Sequence, residues 1–483
     1  MAKAIALRTQ RRSESRGFSP GCKEHMKTFN IINPATGAVV GAAADAGADD
    51  ARAAIERSVA AFSLWKAKTA FERGDILRRW RDLILKNEEA IARLMSNEMG
   101  KPITESRGEV KYAAGFVDWY AEEGKRAYGD IIPSHAGAKR LLATRQPVGA
   151  VYAVTPWNFP AAMVTRKVAP ALAAGCTVVL KPAEQSPLTA VLLAALWSEA
   201  GGPADVFQVL TTADPAAVSE PFFADARVRK LTFTGSTEVG KLLYAQAART
   251  VKRVSLELGG HAPFLVFEDA DIAAAVTQVM ATKFRNAGQT CVCANRIYVH
   301  ASIREAFVTK MSDAVRALRV GDPLSDTTQV GPLVDRAGLD KVASHVSDAV
   351  AKGARAVVGG QAGPGLFFEP TLLVDVVAGM RILEEETFGP VAPIISFTSE
   401  ADVVAASNNT PYGLAAYLWT RDLGRAFRVS EALDYGIVGV NDGLPATPHA
   451  PFGGVKASGI GREGGRWGLE EYLDVKYVSI ALP

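Results

Sequence analysis

Four short segments of this 483-residue chain set reactive side chains beside glycine or proline. The first is Asn286-Ala-Gly-Gln-Thr-Cys291-Val-Cys293. A thiolate attacks carbonyl carbon readily, and its reactivity is set by pKa and access. Many cysteines are small buried hydrophobes, but the polar flanks and the glycine put Cys291 in a loop that a substrate can reach. A Cys-x-Cys pair also suits zinc, yet no second Cys/His cluster stands at ligand spacing, so no metal is expected. The second segment is Leu256-Glu257-Leu-Gly-Gly260. Flanking leucines would desolvate the carboxylate and raise its pKa toward that of a general base, whereas a glutamate considered alone is usually a helix-end or surface group. The third, Thr155-Pro156-Trp157-Asn158-Phe159-Pro160, fixes its backbone with two prolines and offers the Asn158 amide to a developing oxyanion; a rigid turn is its plainer reading. The fourth runs Phe233-Thr-Gly235-Ser236-Thr-Glu-Val-Gly240-Lys241. A Gly-rich turn between strand and helix can seat a phosphate on the helix N-terminus, or can be a turn and nothing more. Leu242 stands where a P-loop needs Ser or Thr to hold magnesium, which argues against nucleotide hydrolysis. The G-x-G-x-x-G fingerprint is absent here, so a pyrophosphate site must be built differently.

The surrounding pattern says what positions these segments. Strands are predicted at 148–154, 177–180, 206–210 and 230–233, with helices at 161–174, 188–199 and 238–248 between and after them. Strict alternation implies a parallel sheet with right-handed crossovers, an α/β fold. Ligands in such sheets sit at the carboxyl ends of the strands, so the loops there are where chemistry is expected. Further strands at 264–266, 296–299, 356–358 and 393–397 predict a second α/β layer. Apolar periodicity predicts one helix over 71–99, ended by Gly100 and Pro102. The tail at 471–480 reads as a β-rich terminal stretch of the kind that pairs with another subunit.

Length predicts two or three domains. A net charge of +3 and the lack of a basic stripe argue against nucleic acid, and no apolar run reaches a membrane span. Four cysteines are too few for a disulfide framework and point to a reducing, cytoplasmic setting. Residues 1–26 are basic and read as a flexible leader, with a transit peptide as the alternative.

Together the segments resemble the aldehyde dehydrogenase superfamily. Pro-Trp-Asn158-Phe, Lys181-Pro-Ala-Glu184, Phe-Thr-Gly235-Ser, Glu257-Leu-Gly-Gly, Gly-Gln-Thr-Cys291, Glu386-Thr-Phe388-Gly-Pro and Pro451-Phe-Gly-Gly all occur in the family's order, over more than nine-tenths of the chain. The resemblance implies two parallel-sheet α/β domains with a small β oligomerisation arm, in a homodimer or homotetramer. By this reading 27–121 and 145–256 bind the dinucleotide, 257–443 are catalytic, and 122–144 with 465–483 form the arm. It implies that Cys291 attacks the aldehyde, Asn158 holds the oxyanion and Glu257 activates water. It places Thr155, Pro156, Trp157, Lys181, Glu184, Gly235, Ser236, Glu386 and Phe388 around the cofactor. Glu184 would repel a 2′-phosphate, which favours NAD over NADP.

Arg166 and Arg285 lie eight residues after Asn158 and six before Cys291, and a guanidinium pair suits a carboxylate. With Phe159 and Phe452 they form the expected substrate set. The surrounding residues resemble the succinate-semialdehyde dehydrogenase branch. The segment Leu444-Pro-Ala-Thr447-Pro-His449 departs from that branch, leaving Thr447 as the expected hydroxyl donor and α-ketoglutarate or glutarate semialdehyde as the alternative substrate. Cys293 is either a packing residue or a redox partner of Cys291.

Overall fold

The computed structural model describes residues 27–483, so the leader at 1–26 lies outside the described residues. Two large sheets dominate. The first is built from β5 (Ala150–Val154), β6 (Thr177–Lys181), β7 (Phe207–Val209), β8 (Val228–Thr234), β9 (Arg253–Glu257) and β17 (Gly459–Ile460), in the order β17-β9-β8-β5-β6-β7. All its pairings are parallel except that of β17 with β9. β5 and β6 are buried along their whole length, as strands covered on both faces by helices must be. The chain winds outward one way through β6 and β7 and the other way through β8 and β9. The switch point therefore falls between β5 and β8, where a crevice opens at the carboxyl ends.

The second sheet holds β10 (Ala262–Val266), β11 (Ala294–His300), β12 (Arg355–Val358), β13 (Thr371–Val374), β14 (Val391–Phe397), β15 (Ala415–Trp419) and β16 (Ile437–Val440), in the order β12-β13-β14-β11-β10-β15-β16. Only β12 runs antiparallel to its neighbour. Here the expectation that chemistry follows carboxyl ends is corrected. Cys291 precedes β11, Glu386 and Phe388 precede β14, and β10 begins five residues after Glu257. This sheet offers its amino ends to the cleft.

A small hairpin, β1 (Thr28–Ile32) with β2 (Val39–Ala44), stands at the start of the described chain. A three-stranded antiparallel sheet contains β18 (Leu473–Ala481), β4 (Lys139–Pro147) and β3 (Asp130–Ile132). The chain at 465 starts as a short helix, Gly465–Glu470, and β4 runs three residues past the expected arm boundary at 144. β18 is an edge strand, and it exposes Val475 and Tyr477, each 60% accessible.

The predicted helix over 71–99 is two helices, Ala70–Lys86 and Glu88–Met99, broken at Asn87. The apolar stripe continues across the break because Ile76, Leu77, Trp80, Ile84 and Ile91 all enter one core. That core centres on Trp80 and Trp65, each set edge-on against Trp197. No helix among the described residues is long and apolar enough to cross a membrane. Trp80 is wholly buried, and its indole N–H donates to the Leu193 carbonyl at 3.0 Å. W80A should therefore cost roughly 3–5 kcal/mol, seen as a lower thermal midpoint with secondary structure retained; an unchanged midpoint would contradict this placement.

Candidate active site

Loops from both sheets meet in one cleft. The carboxyl ends of β5, β6, β8 and β9 deliver Thr155–Phe159, Lys181–Glu184, Gly235–Ser236 and Glu257–Gly260. The amino ends of β11 and β14 deliver Cys291 and the Glu386–Phe388 loop. Contacts tie the two sides together. The Gly260 N–H donates to Glu386 Oε1 at 3.2 Å, and Trp157 meets Phe388 edge-on at 5.6 Å between ring centroids. Asn158 Nδ2 donates to the Gln289 carbonyl at 3.0 Å, linking the β5 loop to the turn before Cys291.

Glycines are needed where backbones come this close. A Cβ at Gly260 would collide with the Cys291 carbonyl oxygen. One at Gly453, where φ is +153°, would stand 2.7 Å from Glu257 Oε1. The Pro451-Phe-Gly-Gly motif thus leaves room for the carboxylate of Glu257.

Glu257 is buried, and neither of its oxygens has a hydrogen-bond partner. Burial, reinforced by the nearby Glu463 carboxylate, raises its pKa well above the ordinary value, while Arg166 and Lys167 pull it down. It is a buried strand-end carboxylate, not a surface one. Cys291 is half-buried, and burial pushes its thiol up to about 12 against the opposing field of Arg166. Cys293 is fully buried with its Sγ 3.5 Å from the Lys283 carbonyl, which matches the packing reading.

Cys291 lines a cavity of about 390 Å³. Arg166, Arg285, Phe159 and Phe452 line it, and so do Glu105, Tyr112 and Leu444-Pro445-Ala446. Arg166 stacks on Phe452 with its guanidinium carbon 4.0 Å from the ring centroid. Its Nε lies 3.0 Å from Glu463 Oε2, while its Nη2 has no hydrogen-bond partner. Arg166 is therefore both an ion-pair member and a cavity residue. The Nε of Arg285 is likewise unpartnered. Thr447 is corrected: it is not in the cavity wall, and its hydroxyl is hydrogen-bonded to His449 Nδ1 at 2.9 Å.

The residues expected around a dinucleotide fit one. Lys181 and Glu184 form an ion pair at the end of β6, with Glu184 one-third accessible. Ser236 caps the helix Thr237–Ala248, leaving other N–H groups of the first turn for a phosphate. Glu386 has a single backbone donor, and burial pushes it up to about 7. Sequence reasoning missed Glu463, Lys167, Lys101, Glu105 and Glu109. Glu105 and Glu109, one turn apart near the start of the helix Ile103–Glu123, were the available signal.

With this geometry in view, the comparisons with known proteins are direct. The chain belongs to the aldehyde dehydrogenase family, whose model matches residues 22–478. It is an oxidoreductase of the aldehyde group that works with a pyridine nucleotide. It is 53% identical over 458 residues to the NADP(+) succinate-semialdehyde dehydrogenase of Escherichia coli strain K12, covering 94% of this chain and 95% of that protein. It is 51% identical to a glutarate-semialdehyde dehydrogenase of Pseudomonas putida, with 94% and 95% covered. A crystal structure of succinate-semialdehyde dehydrogenase from Burkholderia pseudomallei matches with a TM-score of 0.93 at 49% identity, covering 94% of this chain and 95% of that one.

A thiol raised to about 12 is almost wholly protonated at neutral pH. Iodoacetamide should therefore alkylate Cys291 of the ligand-free enzyme about tenfold faster per pH unit from pH 7 to 10, read by peptide mass spectrometry. A plateau near pH 8 would show an ordinary or activated thiol instead.

Proposed function

We propose that this enzyme oxidises a short ω-carboxylated aldehyde, with succinate semialdehyde as the first choice and glutarate semialdehyde as the second. The observation that carries this is the cavity itself: two guanidiniums, each with an unpartnered N–H, line the same space as Cys291. A guanidinium binds a carboxylate with charge-assisted hydrogen bonds. With Thr447 outside the cavity lining and its hydroxyl bonded to His449, the arginines carry the anchoring. The names of both relatives agree with an aldehyde bearing a distant carboxylate.

Cys291, half-exposed in the cavity wall, loses its proton to water and attacks the aldehyde carbon as the thiolate. The Asn158 amide and the Cys291 backbone N–H hold the oxyanion of the hemithioacetal. When bound, the dinucleotide supplies the hydride acceptor. The acyl thioester then left on Cys291 is hydrolysed by a water that Glu257 deprotonates, a task suited to its raised pKa. The six-stranded sheet is the dinucleotide-binding unit: Lys181 and Glu184 take the adenosine ribose, Gly235 and Ser236 the pyrophosphate, and Glu386 and Phe388 the nicotinamide ribose, beside Thr155, Pro156 and Trp157. The Glu184 carboxylate would face a 2′-phosphate with like charge, which supports NAD as the preferred cofactor. Three free cysteines among the described residues support a cytoplasmic setting. The nine-residue edge strand β18, with Val475, Tyr477 and Ile480 exposed, supports a homodimer or homotetramer.

Turnover should be measured with NAD and NADP across succinate, glutarate and α-ketoglutarate semialdehydes, with propanal and benzaldehyde as uncharged controls. R285M should lower kcat/KM for the preferred semialdehyde about 10²-fold, roughly 3 kcal/mol, with propanal little changed. Equal losses on both would make Arg285 a structural residue and defeat the substrate reading. V475D with Y477D should give a smaller particle by light scattering; an unchanged mass would remove β18 from the interface.

A further inference from the structure

The turn that precedes Cys291 is strained. Asn286 (φ 51°, ψ 38°) and Ala287 (φ 53°, ψ 33°) both adopt the left-handed conformation, followed by Gly288 at φ +75°. Two consecutive residues carrying a Cβ do not hold that shape without outside support. The support comes from another part of the fold. Glu105, in the first turn of the helix Ile103–Glu123, accepts the Asn286 N–H with its Oε2 at 2.8 Å.

From Asn286 the contacts run straight to the oxyanion loop. Its Nδ2 donates to the Asn158 carbonyl at 3.1 Å and to the Gln289 carbonyl at 3.3 Å, and that second carbonyl also receives the Asn158 side-chain amide. One helical turn on, Glu109 does a parallel job. Its Oε1 accepts the Ala161 and Ala162 N–H groups, and its Oε2 pairs with Lys101, whose Nζ donates to the Asn158 carbonyl at 2.8 Å. Carboxylates at i and i+4 repel one another, and burial adds to the cost. Both nevertheless stand here with partners, Glu105 on the turn before Cys291 and Glu109 where the oxyanion loop enters its helix.

We propose that Glu105 is a positioning residue for the attack on the aldehyde: by accepting the Asn286 N–H, it holds the left-handed turn that orients the Asn158 amide and presents Arg285 to the cavity. This rests on the reading of Asn158 as oxyanion donor, and not on which aldehyde is used. The role belongs to an accepted hydrogen bond and not to a charge. Burial pushes Glu105 up to about 7, so near neutral pH the carboxyl is uncharged much of the time, and a neutral carboxamide is a fair replacement.

The test compares E105M, E105Q and N158A with the wild type, on propanal at saturating cofactor, alongside cofactor KM and thermal midpoint. E105M keeps the side-chain length and loses the acceptor. Its kcat should fall roughly tenfold or more, with cofactor KM unchanged and the midpoint within a few degrees. E105Q should recover to within about threefold of the wild type, because its carboxamide oxygen still accepts. If E105M does not fold, E105D, one methylene short of the turn, is read in its place. Wild-type kcat in the acceptor-deficient variant, or equal damage in E105Q, overturns the proposal. If N158A loses turnover while E105M keeps it, this inference alone fails; if N158A turns over normally, the oxyanion reading fails and takes the inference with it.

Discussion

Burying a carboxylate with neither oxygen hydrogen-bonded is among the costlier arrangements a protein can hold, and the rest of this site is arranged around the one at Glu257. The compensation is electrostatic. Glu463 lies 3.0 Å from Arg166 Nε and 2.6 Å from Lys167 Nζ, and those two cations hold it below the usual carboxylate range although burial works the other way. When Glu257 is ionised, the formal charges of these four buried groups cancel. This explains why the helix Ala162–Ala174, buried at every position, tolerates an arginine and a lysine side by side. It also explains why the C-terminal segment doubles back. Backbone bonds in both directions between Phe452 and Glu463, together with the β17–β9 pairing, bring the counter-carboxylate and Gly453 up against Glu257.

The second constraint is topological. The six-stranded sheet presents carboxyl ends and the seven-stranded sheet presents amino ends, so Glu257 at the end of β9 and Gly260 just before β10 sit on the direct covalent link between them. A short link with no room for side chains lets the base and the nucleophile loop share one cleft. Gly260 lies against the Cys291 backbone for that reason.

Much of this was legible in the sequence because the signals were local. The strands and helices expected over 148–248 match observed elements to within two residues at their ends, since burial on both faces leaves parallel strands little freedom of composition, but the helix Pro215–Ala224 was missed. Seven ordered motifs carried the family. The failures were non-local. The apolar stripe over 71–99 could not show the break at Asn87, because both helices feed the same core. β9 was not anticipated, because Arg253 and Ser255 interrupt its apolar pattern, and their partners Glu471 and Asp474 lie over two hundred residues away. Thr447 appeared available because its hydrogen bond to His449 depends on loop shape. Glu463 was invisible for the same reason: nothing near it in sequence names the two cations it joins.

The central claim is a division of labour in which Cys291 forms the acyl bond and Glu257 breaks it. It is tested most directly by mixing E257Q with aldehyde and oxidised cofactor and following both reduced cofactor and intact protein mass. The account predicts accumulation of acyl-enzyme on Cys291, with up to one equivalent of reduced cofactor and little further turnover. Steady turnover at the wild-type rate, or formation of reduced cofactor with no acyl mass on the Cys291 peptide, would contradict it.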